Sequence, residues 1–244
     1  MSPDAYLEMA EMEACHWWFR GRREIVGTIL SGLALPRDAS ILEIGAGTGG
    51  NLEMLSRFGN VSAVEMDGTA LRLAREKTLG AYDIRSGRCP DDMPFPDHSF
   101  DLVCLLDCLE HIADDAGALA CTARMLKAGG AALITVPAYQ WLWSSHDVFL
   151  HHQRRYSKRS LHALVTRCHM RVERMSYFNT LLFPLAVAAR ISDRLSGSQK
   201  ATGAGLPPQP LNQALHRLFS TERHWLAHGS LPFGISLMAI VRAS

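Results

Sequence analysis

The sequence predicts an α/β protein built on a parallel, doubly wound sheet. Its centre alternates short apolar segments, typical of strands, with segments of helical periodicity. One apolar run, FDLVCLL at 100–106, is continuous, as expected for a strand that is buried on both faces of a sheet. A glycine-rich loop follows the first predicted strand. Because parallel strands are joined by right-handed helical crossovers, this alternation indicates a sheet with helices on both faces.

The central elements follow one another from residue 40 onwards. Strands are predicted at 40–44, 61–65, 82–86, 100–106 and 131–136, and helices at 49–58, 69–79 and 115–127. Thr69 is a candidate N-cap of the second helix, and Gly129 with Gly130 would end the third helix as a C-cap. Pro137 ends the fifth strand.

The pattern changes after Pro137. A helix is predicted at 157–168 with Ser157 as its N-cap, and strands are predicted at 171–178 and 234–242. Between these two strands, residues 196–210 (SGSQKATGAGLPPQP) have the composition of a linker, and Leu211 to Leu226 have apolar residues at helical spacing. The first forty residues are predicted to form a separate helical piece that contains CHWWFRGRRE.

Composition limits the classes of function. The chain has 244 residues and a net charge of +1, which argues against a nucleic-acid footprint over the whole surface. We expect neither a signal peptide nor a membrane span. The six cysteines are scattered, which favours reduced thiols in a cytoplasmic protein and argues against a zinc site. We therefore expect a soluble globular protein.

The loop ILEIGAGTGG, residues 41–50, has two interpretations. Gly45, Gly47 and Gly50 fit the dinucleotide pattern G-x-G-x-x-G, and Glu65 lies about 20 residues on, where an acid would bind a ribose. However, Glu43 lies directly before the loop, where its carboxylate would repel a pyrophosphate. The same carboxylate would attract a ligand with a cationic end, such as S-adenosylmethionine (SAM).

Four segments in order resemble the class I SAM-dependent methyltransferases, in particular the small-molecule, type 11-like group. They are LEIGAGTGGNL, VSAVEMD, MPFPDHSFDLVCLLDCLEHI and MLKAGGAALITVP, which together cover roughly residues 41–137. The resemblance implies a Rossmann-like, doubly wound, seven-stranded sheet whose last strand is antiparallel. To this sheet we add an N-terminal helical cap (1–38) and a helical insertion (179–230). The core is then 39–178, the final strand is 231–244, and the whole chain is a single domain.

The resemblance also implies the cofactor-binding residues. Glu43, Gly45, Ala46, Gly47 and Gly49 would wrap the methionine end of SAM. The ribose hydroxyls would be bound by Glu65, the adenine would pack on Met66, and Asp107 would lie towards the methionine end and the methyl acceptor. Many members have an aspartate that binds the adenine amino group. Here Arg88 and Cys89 occupy that point, so we expect their backbone groups to replace the aspartate.

Two basic segments are candidates for binding the methyl acceptor. After the fifth strand, HDVFLHHQRRYSKRS offers histidines to remove a proton and arginines to hold an anionic group. From this segment we select His146 as a catalytic residue, and His151, Arg154, Arg155 and Tyr156 as acceptor-binding residues. His111 in LEHI is a second candidate base. The helix that contains HWWFRGRRE is expected to dock its aromatic residues on the core, with Trp17 and Arg20 also forming a partial lid over the acceptor. We expect no metal site.

These observations predict transfer of a methyl group from SAM to a small molecule, with O-methylation of a hydroxyl or carboxylate favoured. The acceptor is expected to be amphiphilic or anionic, and Leu211 to Leu226 could make weak contact with a membrane surface. Two alternatives stay open at this point. One is an NAD(P)-dependent oxidoreductase, and the other is a SAM-binding protein without catalytic activity.

Overall fold

A computed structural model of the protein describes residues 3–196 and 205–243, which contain one mixed seven-stranded sheet. The strands are β1 (Ser40–Ile44), β2 (Asn60–Glu65), β3 (Asp83–Ser86), β4 (Phe100–Leu106), β5 (Leu126–Pro137), β6 (Met170–Phe178) and β7 (Ser236–Ala243). Their order across the sheet is β3-β2-β1-β4-β5-β7-β6. β7 runs antiparallel to both β5 and β6. The predicted fold class is therefore confirmed.

Helices cover both faces of this sheet. They are α1 (Pro3–Met12), α2 (Trp17–Ser31), α3 (Leu52–Leu55), α4 (Gly68–Lys77), α5 (Asp115–Met125), α6 (Ser145–Phe149), α7 (Lys158–Arg167), α8 (Phe183–Ser196), α9 (Gln209–Ser220) and α10 (Glu222–Leu226). One face carries α2, α3, α4, α9 and α10, and the other face carries α5 and α7.

The side chains of the central strand β4 point alternately to the two faces of the sheet, and this explains why both helical layers pack on it. In β4, Leu102 and Cys104 pack on the first face, whereas Val103 and Leu105 pack on the second. All four side chains are fully buried. Successive side chains of a strand point to opposite faces, so a strand between two helical layers must be apolar at every position. This is the reason for the continuous apolar run.

Helix α2, near the N-terminus, and helix α9, in the predicted insertion, meet on the first face of the sheet. The backbone N–H of Trp17 in α2 donates to Asn212 Oδ1 in α9 at 2.8 Å, and the amide of Asn212 donates to the Cys15 carbonyl at 2.8 Å. The rings of Trp17 and Phe219 pack edge to face with centroids 5.6 Å apart. The predicted helical insertion is thus joined to the N-terminal helices. Most of the predicted linker at 196–210 lies outside the described residues.

Three sequence predictions about helix ends are wrong. The N-cap of α4 is Asp67, whose carboxylate accepts from the N–H groups of Thr69 and Ala70, so Thr69 lies inside the helix. Gly129 and Gly130 belong to β5 and do not cap α5, which ends at Met125. The helix predicted at 49–58 is reduced to α3, because the glycine loop occupies the first residues of that range.

No helix within 3–196 or 205–243 is long and apolar enough to cross a membrane. All six cysteines lie within the described residues, and each is a free thiol. Ser157 caps α7 as predicted, because its hydroxyl accepts from the N–H of Ser160.

Candidate functional site

The glycine loop turns sharply at the carboxyl end of β1. The N–H groups of Gly45 and Ala46 both donate to the Val64 carbonyl, at 2.9 and 3.1 Å, which fixes the loop to β2. Gly45 and Gly47 have positive φ angles of 75° and 55°, which glycine adopts readily because it has no Cβ. A Cβ on Gly45 would clash with the Cys108 thiol, whereas a Cβ on Gly47 would meet no protein atom within 4 Å. Gly47 therefore leaves room for a ligand to approach the backbone.

Glu65 ends β2 beside this loop. Its Oε2 accepts from the Gly47 N–H at 2.7 Å, and its Oε1 accepts from the Asp67 N–H at 2.8 Å. Burial raises the pKa of Glu65, and these backbone hydrogen bonds act in the opposite direction. Each carboxylate oxygen retains a second lone pair, so two vicinal hydroxyls could still bind here.

A chain of buried polar groups runs from Glu43 to Asp107. Glu43 Oε1 accepts from Asn51 Nδ2 at 2.7 Å, and Asn51 Oδ1 accepts from Arg22 Nη2 at 3.2 Å. Arg22 Nη1 then forms an ion pair with Asp107 Oδ2. We call these four residues the polar chain. It joins the ends of β1 and β4 to α2.

Two buried polar atoms of the polar chain have no hydrogen-bond partner among the described residues. Among the described residues, neither Glu43 Oε2 nor Arg22 Nε has a hydrogen-bond partner. Burial raises the pKa of Glu43 to about 7, although Asn51 and the charge of Arg22 lower it. A buried charged group without a full set of partners is costly. These atoms therefore fit a ligand that carries both an ammonium and a carboxylate group, as the methionine end of SAM does.

The N-terminal helix α1 lies against the same loop. Glu13, just after α1, accepts from the Thr48 hydroxyl at 2.9 Å and forms an ion pair with Lys77 of α4. Tyr6 lies close enough to Glu65 for that carboxylate to raise its pKa, although burial is the larger cause. The predicted N-terminal cap thus touches the cofactor loop.

Two segments meet at the carboxyl ends of β4 and β5. The first is the 3-10 turn Leu109–His111, which follows Asp107. The second contains His152, whose ring packs on that of His111 with centroids 4.7 Å apart. The N–H of Gln153 donates to the Glu110 carbonyl at 2.8 Å and joins the two segments.

Three of these side chains point to one place. One potential ligand atom from each of Glu110, His111 and His152 lies within 4.8 Å of the other two. Glu110 is 1% exposed, and no described residue forms a hydrogen bond with its Oε2. Burial and the neighbouring charge of Asp107 raise the pKa of Glu110 well above its ordinary value.

Both predicted catalytic histidines are neutral at neutral pH. Burial, with a contribution from His152, lowers the pKa of His111 to about 4. Burial, with a contribution from Arg190, lowers the pKa of His146 to about 4. His146 Nδ1 has no hydrogen-bond partner among the described residues.

Most of the predicted acceptor-binding residues have structural partners. Arg155 forms a bidentate pair with buried Asp147, at 2.7 and 3.0 Å, and its Nη1 donates to the Ala138 carbonyl. Arg154 pairs with Asp115 at 2.6 Å, and the hydroxyl of buried Tyr156 donates to the same carboxylate at 3.0 Å. As a correction, these three side chains hold the segment in place and are not free to bind an anionic acceptor.

The comparisons with known proteins agree with this geometry. Residues 42–134 match the methyltransferase-domain family. Over 99 residues the chain is 32% identical to a demethylmenaquinone methyltransferase of Tropheryma whipplei, covering 40% of this chain and 41% of that protein. Over 123 residues it is 27% identical to a ubiquinone/menaquinone biosynthesis C-methyltransferase of Vibrio vulnificus, covering 46% and 47%. The chain thus spans less than half the length of these relatives.

The fold is similar to the folds of solved structures. A TehB-like SAM-dependent methyltransferase from Corynebacterium glutamicum superposes with a TM-score of 0.56 at 18% identity, covering 89% of this chain and 88% of that one. Residues 42–134 therefore carry a methyltransferase domain, as predicted, and the fold is one that SAM-dependent methyltransferases share. Both findings agree with SAM as the predicted cofactor, and neither supports the oxidoreductase alternative.

Three further predicted residues have definite partners or positions in the structure. Trp17 anchors α2 to α9, which is the docking of aromatic residues that was expected together with a partial lid role. Arg20 lines a groove of about 990 Å³ with residues of α2, α3 and α4, away from the segments that follow β4 and β5. The backbone N–H of Arg88 donates to the Asp92 carbonyl at 2.8 Å, so that N–H is not available to an adenine.

The remaining predicted residues keep positions that are compatible with their roles. Met66 is 60% exposed beside Glu65, and Cys89 is buried next to Arg88. Gly49 belongs to the loop, and His151 is exposed with a φ of 58°.

Sequence reasoning did not assign four buried residues of the candidate site, Arg22, Asn51, Glu110 and Asp147, to the contacts that they make. Asn51 directly follows the glycine loop, and Glu110 directly precedes the candidate base His111, so proximity to a motif was the available signal for both. Arg22 is separated from Asp107 by 85 positions, and no local pattern links the two.

Proposed function

We propose that this protein transfers the methyl group of SAM to a hydroxyl group on a small amphiphilic molecule. The polar chain is the observation that carries this proposal, because it sets the buried carboxylate of Glu43 and the guanidinium of Arg22 on either side of Asn51. An ammonium and a carboxylate on one carbon, as in SAM, complement this arrangement. A pyrophosphate would be repelled by Glu43.

The cofactor residues follow from this placement. Glu43 would accept from the amino group of SAM, and Arg22 would face its carboxylate. The backbone of Gly45, Ala46, Gly47 and Gly49 would wrap the methionine end. The ribose hydroxyls would bind Glu65, the adenine would pack on Met66, and the backbone of Cys89 would contact its edge. Asp107 would lie between the methionine end and the acceptor.

Methyl transfer depends on alignment of the acceptor with the methyl group more than on general acid-base catalysis. SAM supplies the activated methyl group when bound, and the protein must align the acceptor oxygen with the S–CH3 bond and exclude water. His111 and His146 remain the candidate bases. Since each is neutral at neutral pH, each can accept a hydrogen bond from an acceptor hydroxyl, but neither takes the proton readily before the new bond forms.

An aromatic cluster beside this edge of the sheet supports an acceptor with an apolar part. Tyr139 packs against Trp141 and Phe183, with ring centroids 5.7 and 5.9 Å apart, and Phe183 packs against Phe233. Trp141 is 52% exposed and Phe233 is 43% exposed. Because Arg154 and Arg155 are paired with carboxylates, we propose a hydroxyl and an apolar group as the recognised features, without an anionic head.

The atom that is methylated has two candidates. O-methylation was predicted from the sequence, whereas the Vibrio vulnificus relative is named as a C-methyltransferase. Loss of a proton from a ring hydroxyl activates both the oxygen and the adjacent ring carbons. A phenolic or quinol-type acceptor therefore accommodates both products, and analysis of the product decides between them.

Ligand binding tests the cofactor part of the proposal. Thermal unfolding is measured with SAM, S-adenosylhomocysteine, NAD and NADP. We expect the first two to raise the melting temperature, because a ligand that binds only the folded state stabilises it by mass action. Stabilisation by NAD or NADP alone would exclude the proposal.

Transfer of label tests the activity. The protein is incubated with methyl-labelled SAM and a cell extract, and the labelled product is identified. Mild alkali releases methanol from a methyl ester but not from an ether or a C-methyl group, so it identifies a carboxylate acceptor, and mass spectrometry of the alkali-stable product separates hydroxyl from carbon acceptors. SAM binding without any labelled product would favour the non-catalytic alternative.

The amphiphilic acceptor also suggests weak contact with a membrane surface from an otherwise cytoplasmic protein. Phe219 and Leu226 of the predicted segment are buried, whereas Leu211, Leu218 and Trp225 are exposed. Flotation with liposomes that contain or lack anionic lipid tests this contact. Absence of the protein from both floated fractions would remove the membrane contact and leave the methyltransferase proposal unaffected.

A further inference from the structure

Glu110, His111 and His152 form a compact set of metal-binding side chains. One potential ligand atom from each lies within 4.8 Å of the other two. The set combines two imidazoles with one carboxylate, which is a common ligand set for divalent transition metals. No metal site was expected from the sequence, because no acid-rich set of partners is obvious around the histidines of residues 146–152. The structure supplies an acid, Glu110.

Glu110 is the member that most needs a partner. It is 1% exposed, and its Oε2 receives no hydrogen bond from the described residues. The two nearby arginines are already paired, since Arg22 binds Asp107 and Arg155 binds Asp147. A buried carboxylate without a cation or a set of donors is costly, and a bound cation would remove that cost.

The histidines are already oriented to bind an ion. His152 Nδ1 lies 2.9 Å from Asp147 Oδ1, which leaves Nε2 as the nitrogen available to the cluster. The His111 ring packs edge to face on the His152 ring, with centroids 4.7 Å apart. Histidines that bind metals commonly donate their other ring N–H to a carboxylate or a backbone carbonyl, which fixes the tautomer and the ring orientation.

The scaffold around the cluster is rigid. Asp147 is fully buried and is held by both nitrogens of the Arg155 fork. The hydrogen bond from Gln153 to Glu110 and the ion pair between Arg154 and Asp115 join the two segments that supply the ligands. A site held in this way loses little entropy when it binds an ion.

We propose that Glu110, His111 and His152 bind one divalent transition-metal ion beside the SAM site. The three protein ligands leave coordination positions open, as in catalytic metal sites. In an extension that rests on the proposed function, the acceptor hydroxyl occupies an open position. The ion then orients that oxygen and lowers its pKa. With His111 as a ligand, His146 becomes the remaining candidate base.

Direct binding of metal ions tests the site without SAM or an acceptor. The full-length protein is stripped with EDTA, dialysed and titrated calorimetrically with Mn²⁺, Zn²⁺ and Mg²⁺ in separate runs. We expect one ion per chain, with Mn²⁺ or Zn²⁺ bound at least about tenfold more tightly than Mg²⁺, because two of the ligands are imidazoles. Visible absorption of added Co²⁺ gives an independent report of nitrogen ligation.

Two variants and two controls locate the ion. Glu110→Gln and His152→Gln should each weaken binding by at least about tenfold. The controls Glu53→Gln and His162→Gln alter exposed residues outside the cluster and should bind as the wild type does. Melting curves with and without SAM show whether each variant is folded. His111→Gln provides a second ligand variant if Glu110→Gln does not fold.

Two results would overturn the site. One is a wild-type protein that binds SAM but no ion with a Kd below about 100 µM. The other is ion binding that survives both ligand substitutions, which would assign it to surface histidines. Failure of the proposed function gives a different result, namely stoichiometric metal binding without stabilisation by SAM.

Discussion

At the scale of single residues, the site depends on a few buried charges in fixed positions. Glu43 is fully buried and has one unsatisfied oxygen, and its pKa is raised to about 7. In the unfolded chain the same carboxyl titrates near 4.5. The folded protein therefore binds a proton at Glu43 over a pH range in which the unfolded chain has released it.

The first prediction concerns the pH dependence that results. The stability that Glu43 contributes is present below pH 4.5 and is lost as the pH rises through 7, by roughly 3 kcal/mol in total. A cationic ligand prefers the carboxylate, so SAM should bind more tightly as the pH rises from about 6 to about 8. Glu43→Gln should remove the contribution of Glu43 and so reduce both slopes, while the other buried titratable groups keep theirs. Denaturant unfolding and calorimetry at several pH values measure them, and equal slopes in the two proteins would contradict the prediction.

The second prediction compares two glycines of the loop. Gly45→Ala introduces a methyl group against the Cys108 thiol at a positive φ, so it should destabilise the fold by well over 1 kcal/mol. Gly47→Ala meets no protein atom and should cost only about 1 kcal/mol. Because its methyl group would point into the space for the ligand, Gly47→Ala should nevertheless weaken SAM binding at least about tenfold. Unfolding and SAM titration together separate the two effects, and normal SAM affinity in Gly47→Ala would place the cofactor elsewhere.

At the scale of elements, buried acids fix the ends of segments. Glu222 of α10 is fully buried, and it accepts from the N–H groups of Asn179, Thr180 and Leu181 at 2.6 to 2.8 Å. These three residues follow β6 and lead into α8. One carboxylate thus satisfies the backbone at the start of the insertion.

The third prediction follows from these hydrogen bonds. Glu222→Ala should destabilise the protein by roughly 2 to 4 kcal/mol, because three backbone N–H groups, that of buried Asn179 among them, lose a charged acceptor. Glu222→Gln retains one carbonyl oxygen, so its free energy of unfolding should lie between those of Glu222→Ala and the wild type. Urea unfolding measures the loss, and hydrogen exchange should show faster exchange at 179–181. An unchanged exchange rate at these amides would refute the role.

Sequence patterns predicted elements well where the signal is local. The apolar run at 100–106 became β4 with both ends correct, because burial on both faces demands apolar residues throughout. The helix at 49–58 was overestimated, because a glycine turn at positive φ and a short helix share the same letters. Gly129 and Gly130 read as a helix end, but they lie in the irregular stretch of β5 between Leu126 and Ala131, the residues at which β5 pairs with β4 on either side of a register shift.

The residues of the candidate site were likewise predictable where the signal is local in the sequence. Glu43, Gly45 and Gly47 lie within one contiguous motif, and Glu65 ends the next predicted strand of the parallel sheet, so their proximity could be predicted from the sequence. Arg154 and Arg155 looked free because nothing local indicates that Asp115 and Asp147 fold against them. Arg22 reaches Asp107 only through the docking of α2, which is a tertiary event that one sequence does not show.

At the scale of the whole molecule, the N-terminal helices and the insertion share one core with the sheet. Phe219 of α9 is fully buried, packs on Trp17 of α2 and stacks on Phe178 of β6. Three distant parts of the chain therefore meet at one ring. We expect them to unfold together.

The fourth prediction tests that cooperativity. Phe219→Ala should destabilise the protein by roughly 3 to 5 kcal/mol, whereas Leu218→Ala, at a neighbouring exposed position, should cost less than about 1 kcal/mol. Tryptophan fluorescence and far-ultraviolet circular dichroism should report one transition in the wild type. Two separate transitions would show that the predicted single domain consists of independent units.

The docking of α2 on α9 also sets an order of events during synthesis. Arg22 is synthesised long before the helix that holds α2 in place, because Asn212 of that helix lies 195 positions beyond Trp17. A nascent chain that still lacks Asn212 and Phe219 has the glycine loop but cannot position the guanidinium beside Asn51. We therefore expect ribosome-bound intermediates to capture the nucleoside poorly until α9 has emerged and docked on α2.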